Sequence, residues 1–247
     1  MRNYSIYQDA YSGKVYNKKI VLNNLAPDIL NNYEYNDFID KCQPESDELA
    51  FALMDFVSTN FKHDSDVALP YKRGMIDLIQ ACEASGGKTN CRGLALILAE
   101  LLRINNIKAR HVTCMPYEDP FTDCHVVVDC IMPSGKRIML DPTYRLFLMD
   151  EAGEYVSIEK FREGLILGKK FIPCQNASYN GQKFNLDYYL QYMSKNLFRF
   201  STNLLLDDSK SDIWENEIEL VPVGYKEKRC IKKRKILYNA KLFWDFN

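Results

Sequence analysis

The sequence predicts an α+β fold in which a helix that opens with a cysteine packs on an antiparallel sheet carrying a histidine and an aspartate. Three observations predict it. The run CRGLALILAELLR, Cys91 to Arg103, repeats leucine at helical spacing. Two short apolar runs follow, HVVVDCIM from His125 to Met132 and RIMLD from Arg137 to Asp141. Between them, Pro133-Ser134-Gly135-Lys136 is a turn signal of the type that joins antiparallel strands.

Residues 1 to about 45 read as an irregular arm packing on the core, with short strand-like pieces such as Lys19-Ile20-Val21-Leu22. Ser46 caps a helix whose Leu49, Leu53, Phe56 and Val57 form an apolar stripe. A second helix runs from about Gly74 to Glu83. The segment between them, NFKHDSDVALPYKRG, is a loop, and its His63 is read as a solvated loop residue rather than a cleft residue.

Thr89 or Asn90 then caps the helix that Cys91 opens. Leu94, Leu98, Leu101 and Leu102 mark its buried face, and Gly86-Gly87 just upstream would let the backbone approach a substrate closely. Asn105-Asn106 stops the helix, and Ile107 to Met115 reads as a strand carrying His111. A loop from Met115-Pro116 to Asp123 leads into His125 and could wall a cleft.

Beyond Asp141, Val156 to Leu165 and Asn185 to Phe198 read as helices, the latter with an apolar stripe of Leu186, Leu190, Met193 and Leu197. Leu204-Leu205-Leu206 with DDSKSD reads as a break. EIELVPV and ILYNAKLFWDF read as two further strands or extended pieces. The organisation expected is an arm at 1–45, a catalytic domain at 46–200 and a β-rich extension of that domain at 201–247.

The chemistry-bearing residues are Cys91, His125 and Asp141. Residues paired across a hairpin centred on Ser134 have numbers summing to about 267 or 268 by register logic. Those of His125 and Asp141 sum to 266, so the two face each other within a residue or two. A carboxylate beside an imidazole fixes its tautomer and stabilises its cationic form. A cysteine in the first turn of a helix sits near the positive end of the dipole, which favours the thiolate and supplies N–H groups for an oxyanion. His111 is the rival base, but it lacks a hairpin carboxylate and is read as a core or rim residue. A lone cysteine is usually a buried packing residue; the His–Asp hairpin is what singles out Cys91.

The stretch GGKTNCRGLALILAELLRINNIKARHVTCMP, followed by CHVVVDCIMPSGKRIMLDPTY, resembles the transglutaminase-like superfamily, with its papain-like core. The match is a Cys at a helix start, the strand Asn106-Ile107-Lys108-Ala109-Arg110-His111-Val112, a His in the next strand, then Asp141-Pro142-Thr143. It covers about Glu48 to Tyr144 and extends towards Phe200. The resemblance implies Cys91 as nucleophile, His125 as general base and acid, and Asp141 as orienter. Many members carry Trp after the histidine; here Val126 stands there, and Trp214 and Trp244 lie far downstream. The second oxyanion donor is therefore open, with Gln80, Tyr71 and Asn90 as candidates.

Composition bounds the rest. With 247 residues, 47% hydrophobic and 26% charged, the chain can hold one sizeable core of ordinary globular make-up. A net charge of −1 argues against a general polyanion binder, so no nucleic-acid partner is expected. The basic run Lys226 to Lys235 is read as a solvated turn or edge. No apolar run is long enough to span a bilayer, and the N-terminus lacks a signal-peptide core, so a cytoplasmic protein without a membrane partner is expected. Eight cysteines in such a chain are read as reduced thiols. Among His111, Cys114, Cys124, His125 and Cys130 the only short pair is His111/Cys114, not the paired spacings of a zinc site, so no metal is expected; with no calcium-loop signature, no calcium dependence is expected, and no other cofactor.

These observations point to a thiol-dependent acyl-transfer enzyme acting on a peptide or carboxamide bond of a peptide or protein substrate, with hydrolysis favoured slightly over transamidation. The alternative is a non-catalytic peptide- or protein-binding module on the same fold. An arylamine acetyltransferase type of triad would carry Arg-Gly-Gly-x-Cys, whereas Gly86-Gly87-Lys88-Thr89-Asn90 precedes Cys91. Oligomeric state is not legible.

Overall fold

The computed structural model describes residues 19–21, 28–43, 46–118, 123–203, 205–207, 217–225 and 235–245. In chain order these form β1 (Lys19–Val21), a short 3-10 helix (Asp28–Tyr33), α1 (Tyr35–Ile39), α2 (Asp47–Asn60), β2 (Lys62–His63), α3 (Met75–Ala84), β3 (Lys88–Thr89) and α4 (Cys91–Ile104). Next come β4 (Lys108–Met115), β5 (His125–Ile131), β6 (Arg137–Leu140), β7 (Leu148–Met149), α5 (Ile158–Ile166), β8 (Ile172–Pro173), β9 (Ser178–Tyr179), β10 (Gln182–Lys183) and α6 (Leu186–Asn196). The chain continues through β11 (Arg199–Asn203), β12 (Leu205–Asp207), β13 (Glu217–Leu220), β14 (Lys235–Leu237) and α7 (Ala240–Trp244).

The central sheet has six strands in the order β14-β13-β11-β4-β5-β6. It is antiparallel throughout the part that bears His125; the β13/β14 pair alone is parallel. Helices cover both faces, so this is an α+β fold with the cysteine helix packed on the sheet, as the sequence predicts. On one face α2, α3 and α4 bury Leu53, Leu78, Leu94 and Leu98 against Val126, Val128, Cys130 and Leu140. On the other, Phe161, Tyr189, Met193 and Phe243 pack on Val112, Cys114, Val127 and Met139. A strand covered on both sides has no polar face to alternate, which is why β5 reads HVVVDCI.

α4 is the hub. Its Leu94, Leu98, Leu101 and Leu102 are buried, and so are Ala95, Ile97 and Ala99 on its other sides. Its buried Glu100 accepts the N–H of Met75 at 2.9 Å, tying the start of α3 to the helix. The face of the sheet opposite α4 holds a buried ion cluster. Asp129 accepts from Arg110 at 3.0 Å and from Arg137 at 2.6 Å, and those two arginines donate to the carbonyls of Phe243 and Trp244 at the end of α7.

Several sequence expectations shift. Ala240–Trp244 is helical rather than extended, because the Asn239 side chain caps it by accepting the Leu242 N–H at 3.0 Å. Leu205–Asp207, read as part of a break, forms β12 and pairs with β1 in parallel. Gly86 and Gly87 serve a turn. Both adopt left-handed conformations (φ 69° and 79°) that end α3 and return the chain to β3, and such backbone suits glycine. The basic run lies outside the described residues except for Lys235. Among the described residues no helix is long and apolar enough to cross a membrane.

Candidate active site

Asn90, not Thr89, caps the cysteine helix. Its Oδ1 accepts the N–H groups of Arg92 at 3.1 Å and Gly93 at 3.2 Å, and its Nδ2 donates to the Val67 carbonyl at 3.0 Å. This makes Cys91 the first helical residue, with its thiol only half-buried. Gly93 is required one turn in. A Cβ there would lie 2.1 Å from Thr89 Oγ1, so its absence lets β3 run tightly against the helix start.

The hairpin register is the predicted one. Val128 pairs with Leu140 and Ile131 with Arg137, so partner numbers sum to 268. Strand β6 itself ends at Leu140. Asp141 follows in a reversal where its N–H and C=O both bond Leu146, at 2.8 and 3.0 Å. From that turn the carboxylate reaches diagonally to His125, with Nε2 and Oδ2 2.7 Å apart. Asp141 is fully buried and satisfied on both oxygens. Oδ1 accepts the Thr143 N–H at 3.0 Å and Oδ2 accepts the Tyr189 hydroxyl at 2.9 Å. Arg145 pins the outside of the turn to Asp55 of α2 through two bonds of 2.7 Å.

Strand alternation puts His125 on the face opposite α4, yet His125 is the first residue of β5. Its ring therefore lies at the sheet's end, where the helix start reaches it. With Nε2 held by Asp141, Nδ1 is the nitrogen left for the thiol. The Cys91 thiol lies within electrostatic reach of the side chains of His125 and His63 and of the Val126 backbone N–H. That N–H is spare because β6 has ended; continuing the register would set Pro142 opposite Val126.

The electrostatics follow from this arrangement. Burial alone would raise the Cys91 thiol. The hydrogen bonds from His125 and His63, the charge of His125 and the Val126 N–H outweigh burial and bring it down from 9.0 to about 6. Burial alone would lower His125; the charge and hydrogen bond of Asp141, then Cys91, lift it from 6.5 to about 10. Other thiols move the opposite way: burial raises Cys114, Cys124, Cys130 and Cys174.

The three residues singled out in the sequence are thus brought together. His111 is buried in β4, opposite Val128 in the ladder. Of the candidates for a second oxyanion donor, Asn90 is spent on its cap, Tyr71 is 82% exposed, and Gln80 lies on the exposed side of α3. His63 is the correction. It lies in β2, paired with β3 in parallel so that His63 stands beside Thr89, and its side chain meets Cys91. Tyr179, Asn180, Tyr189 and Tyr192 also contact the site and were missed by sequence reasoning. Tyr144 and Tyr192 pack edge-on against the His125 ring, at 5.7 and 5.5 Å between centroids. The signal for His63 was scarcity alone, since the chain has only three histidines. Among the described residues, no three His, Cys, Asp or Glu side chains converge as a metal ion would require.

Residues 34–142 match the sequence model of the transglutaminase-like superfamily. The chain is similar to a solved structure described as a candidate cysteine protease from Cytophaga hutchinsonii, at 21% identity and a TM-score of 0.37, over 53% of this chain and 41% of that one. A candidate protease from Parabacteroides distasonis matches at 15% identity and a TM-score of 0.35, over 54% and 28% respectively. The chain thus spans less than half the length of either. No curated protein matches it.

Proposed function

From a chain whose residues 34–142 belong to the transglutaminase-like superfamily, we propose a thiol-dependent acyl-transfer enzyme that opens a peptide or carboxamide bond of a peptide or protein substrate. The observation that carries the reading is the single line of contacts from Cys91 through His125 to a fully buried Asp141. In it Cys91 is the nucleophile, His125 the general acid and base, and Asp141 the group that fixes the ring.

The thiolate attacks the carbonyl carbon, and the carbonyl π pair moves to oxygen. When the tetrahedral intermediate collapses, the C–N bond breaks and the amine leaves with the proton of the His125 imidazolium. A thioester on Cys91 results. Water then attacks it, giving its proton to His125, and the C–S bond breaks to restore the thiolate. Hydrolysis is slightly favoured over transamidation, because an amine acceptor competes with solvent only in a site that excludes water and Cys91 keeps some exposure.

The sign of the pH dependence follows from the two shifts. Below about pH 6 the thiolate takes up a proton and the nucleophile is lost; above about pH 10 the imidazolium gives up its proton and the acid is lost. Between these limits the ion pair stands. The test is site-resolved alkylation of each cysteine by iodoacetamide across pH, read by peptide mass spectrometry. Cys91 labelling should rise with a midpoint near pH 6 in wild type and move up towards that of an ordinary thiol in His125→Ala. Cys91 reacting no faster than Cys42, with no effect of His125→Ala, would sink the proposal and leave a binding module. Cys91→Ala should abolish amide cleavage while lowering the urea midpoint only slightly, because the change removes a single sulfur atom at the edge of the core.

A further inference from the structure

Two histidines neighbour Cys91, His125 at the sheet's end and His63 beside Thr89, and they are held differently. His125 has a carboxylate behind it and is equipped to carry a positive charge. His63 has a phenol behind it: its Nδ1 lies 3.0 Å from the Tyr179 hydroxyl. A phenol O–H donating to Nδ1 puts the ring proton on Nε2, the nitrogen left for the reacting centre. With the phenol as donor, the nitrogen turned to the thiol has no lone pair to offer, so His63 acts there as a donor rather than as a second base.

The position of that donor is built rather than incidental. His63 lies beside Thr89, two residues before the nucleophile, and the next N–H, of Asp64, donates to the Thr89 carbonyl at 2.9 Å. Asn180, 117 residues away in sequence, grips the His63 backbone at both ends. Its Oδ1 accepts the His63 N–H at 2.8 Å and its Nδ2 donates to the His63 carbonyl at 2.9 Å. Asn180 does this from a left-handed conformation, φ 49°, at the tip of the β9–β10 hairpin. The adjacent Tyr179 fixes the ring. One dipeptide thus holds both the backbone and the ring of His63.

We propose that His63 is a catalytic residue of this site, its Nε2–H paired with the Cys91 backbone N–H to hold the oxygen that becomes negative during acyl transfer. The assignment rests on the acyl-transfer reading above and supplies the donor that Asn90, Tyr71 and Gln80 do not. The Asn90 cap takes the N–H groups of Arg92 and Gly93, leaving the Cys91 N–H as the other donor. In the resting site the His63 N–H faces a thiolate. As the S–C bond forms, the negative charge passes from sulfur to the carbonyl oxygen, and the same N–H follows it.

The test compares two probes on wild type, His63→Ala and His63→Gln. Iodoacetamide alkylates sulfur by displacing iodide and forms no oxyanion; p-nitrophenyl acetate acylates it through one. His63→Ala should lower the acylation rate about 100-fold while the high-pH plateau of alkylation stays within about threefold, which also reports an intact site. His63→Gln keeps an N–H donor and should recover acylation to within about tenfold of wild type. Equal losses with both probes, no loss with either, or a glutamine variant as poor as alanine would overturn the assignment. If wild-type Cys91 itself alkylated like an ordinary thiol, it is the underlying acyl-transfer reading that would fall.

Discussion

Two arms converge on Cys91, and they are made of opposite materials. The His125 arm belongs to the core. Its strand is covered on both faces, its histidine is 2% exposed, and its aspartate is sealed beneath Tyr189. The His63 arm is peripheral: a two-residue strand, half-buried, held by the tip of a short hairpin. The buried arm carries the charged partner, where low dielectric strengthens an ion pair that is fully hydrogen-bonded. The surface arm carries a hydrogen-bond donor, which needs only direction. Changes in the first arm should therefore cost both stability and turnover, and changes in the second turnover alone.

The largest effect expected is that of Asp141→Asn. The amide can present N–H where the carboxylate accepted one, which reverses the tautomer of His125 and leaves the thiol facing a nitrogen that cannot take its proton. Turnover should fall by about 10⁴, and the low-pH limb of Cys91 alkylation should move up by more than in any His63 variant. A silent Asp141→Asn beside a severe His111 change would overturn the assignment of the base.

Tyr189→Phe is a milder probe of the same arm. It removes the hydroxyl that donates to Asp141 Oδ2 at 2.9 Å and leaves a buried charged acceptor with one donor fewer. The expected cost is about 1–3 kcal/mol of stability, read from the urea midpoint, with turnover falling by about tenfold or less. A stability loss is the signature here, because the contact lies inside the core.

The contrast between the arms also explains what was legible in the sequence. His125 and Asp141 lie on one hairpin, and their relation is local: a turn signal at Pro133–Lys136 and a period of two carry it. The cysteine helix announces itself through its leucine spacing and its asparagine cap. His63 had no such local grammar. Its strand is two residues long and its partners, Thr89 on one side and Tyr179-Asn180 on the other, come from distant segments. Tyr189 was hidden differently, as one aromatic on a helix whose apolar stripe already accounted for its face. The helical end of the chain was misread because Asn239 caps a turn of only five residues, too short for periodicity to register. What the sequence could not show in each case is a contact made only once the chain has closed on itself.

Asn180→Ala is the smallest change proposed and the sharpest for the comparison. It removes both bonds to the His63 backbone, yet it touches neither the thiol nor the core. The ring keeps Tyr179 but loses the grip that aims it, so the N–H direction degrades while His125 and Asp141 are left alone. Acylation by p-nitrophenyl acetate should drop about three- to tenfold, in line with the roughly 1 kcal/mol of an ordinary hydrogen bond, with the midpoint of Cys91 labelling by iodoacetamide rising by far less than in Asp141→Asn. The urea midpoint should stay close to wild type and well above that of Tyr189→Phe. A destabilisation equal to that of Tyr189→Phe would mean the hairpin is part of the core's cooperative unit. The division into a buried charged arm and a peripheral aiming arm would then fail.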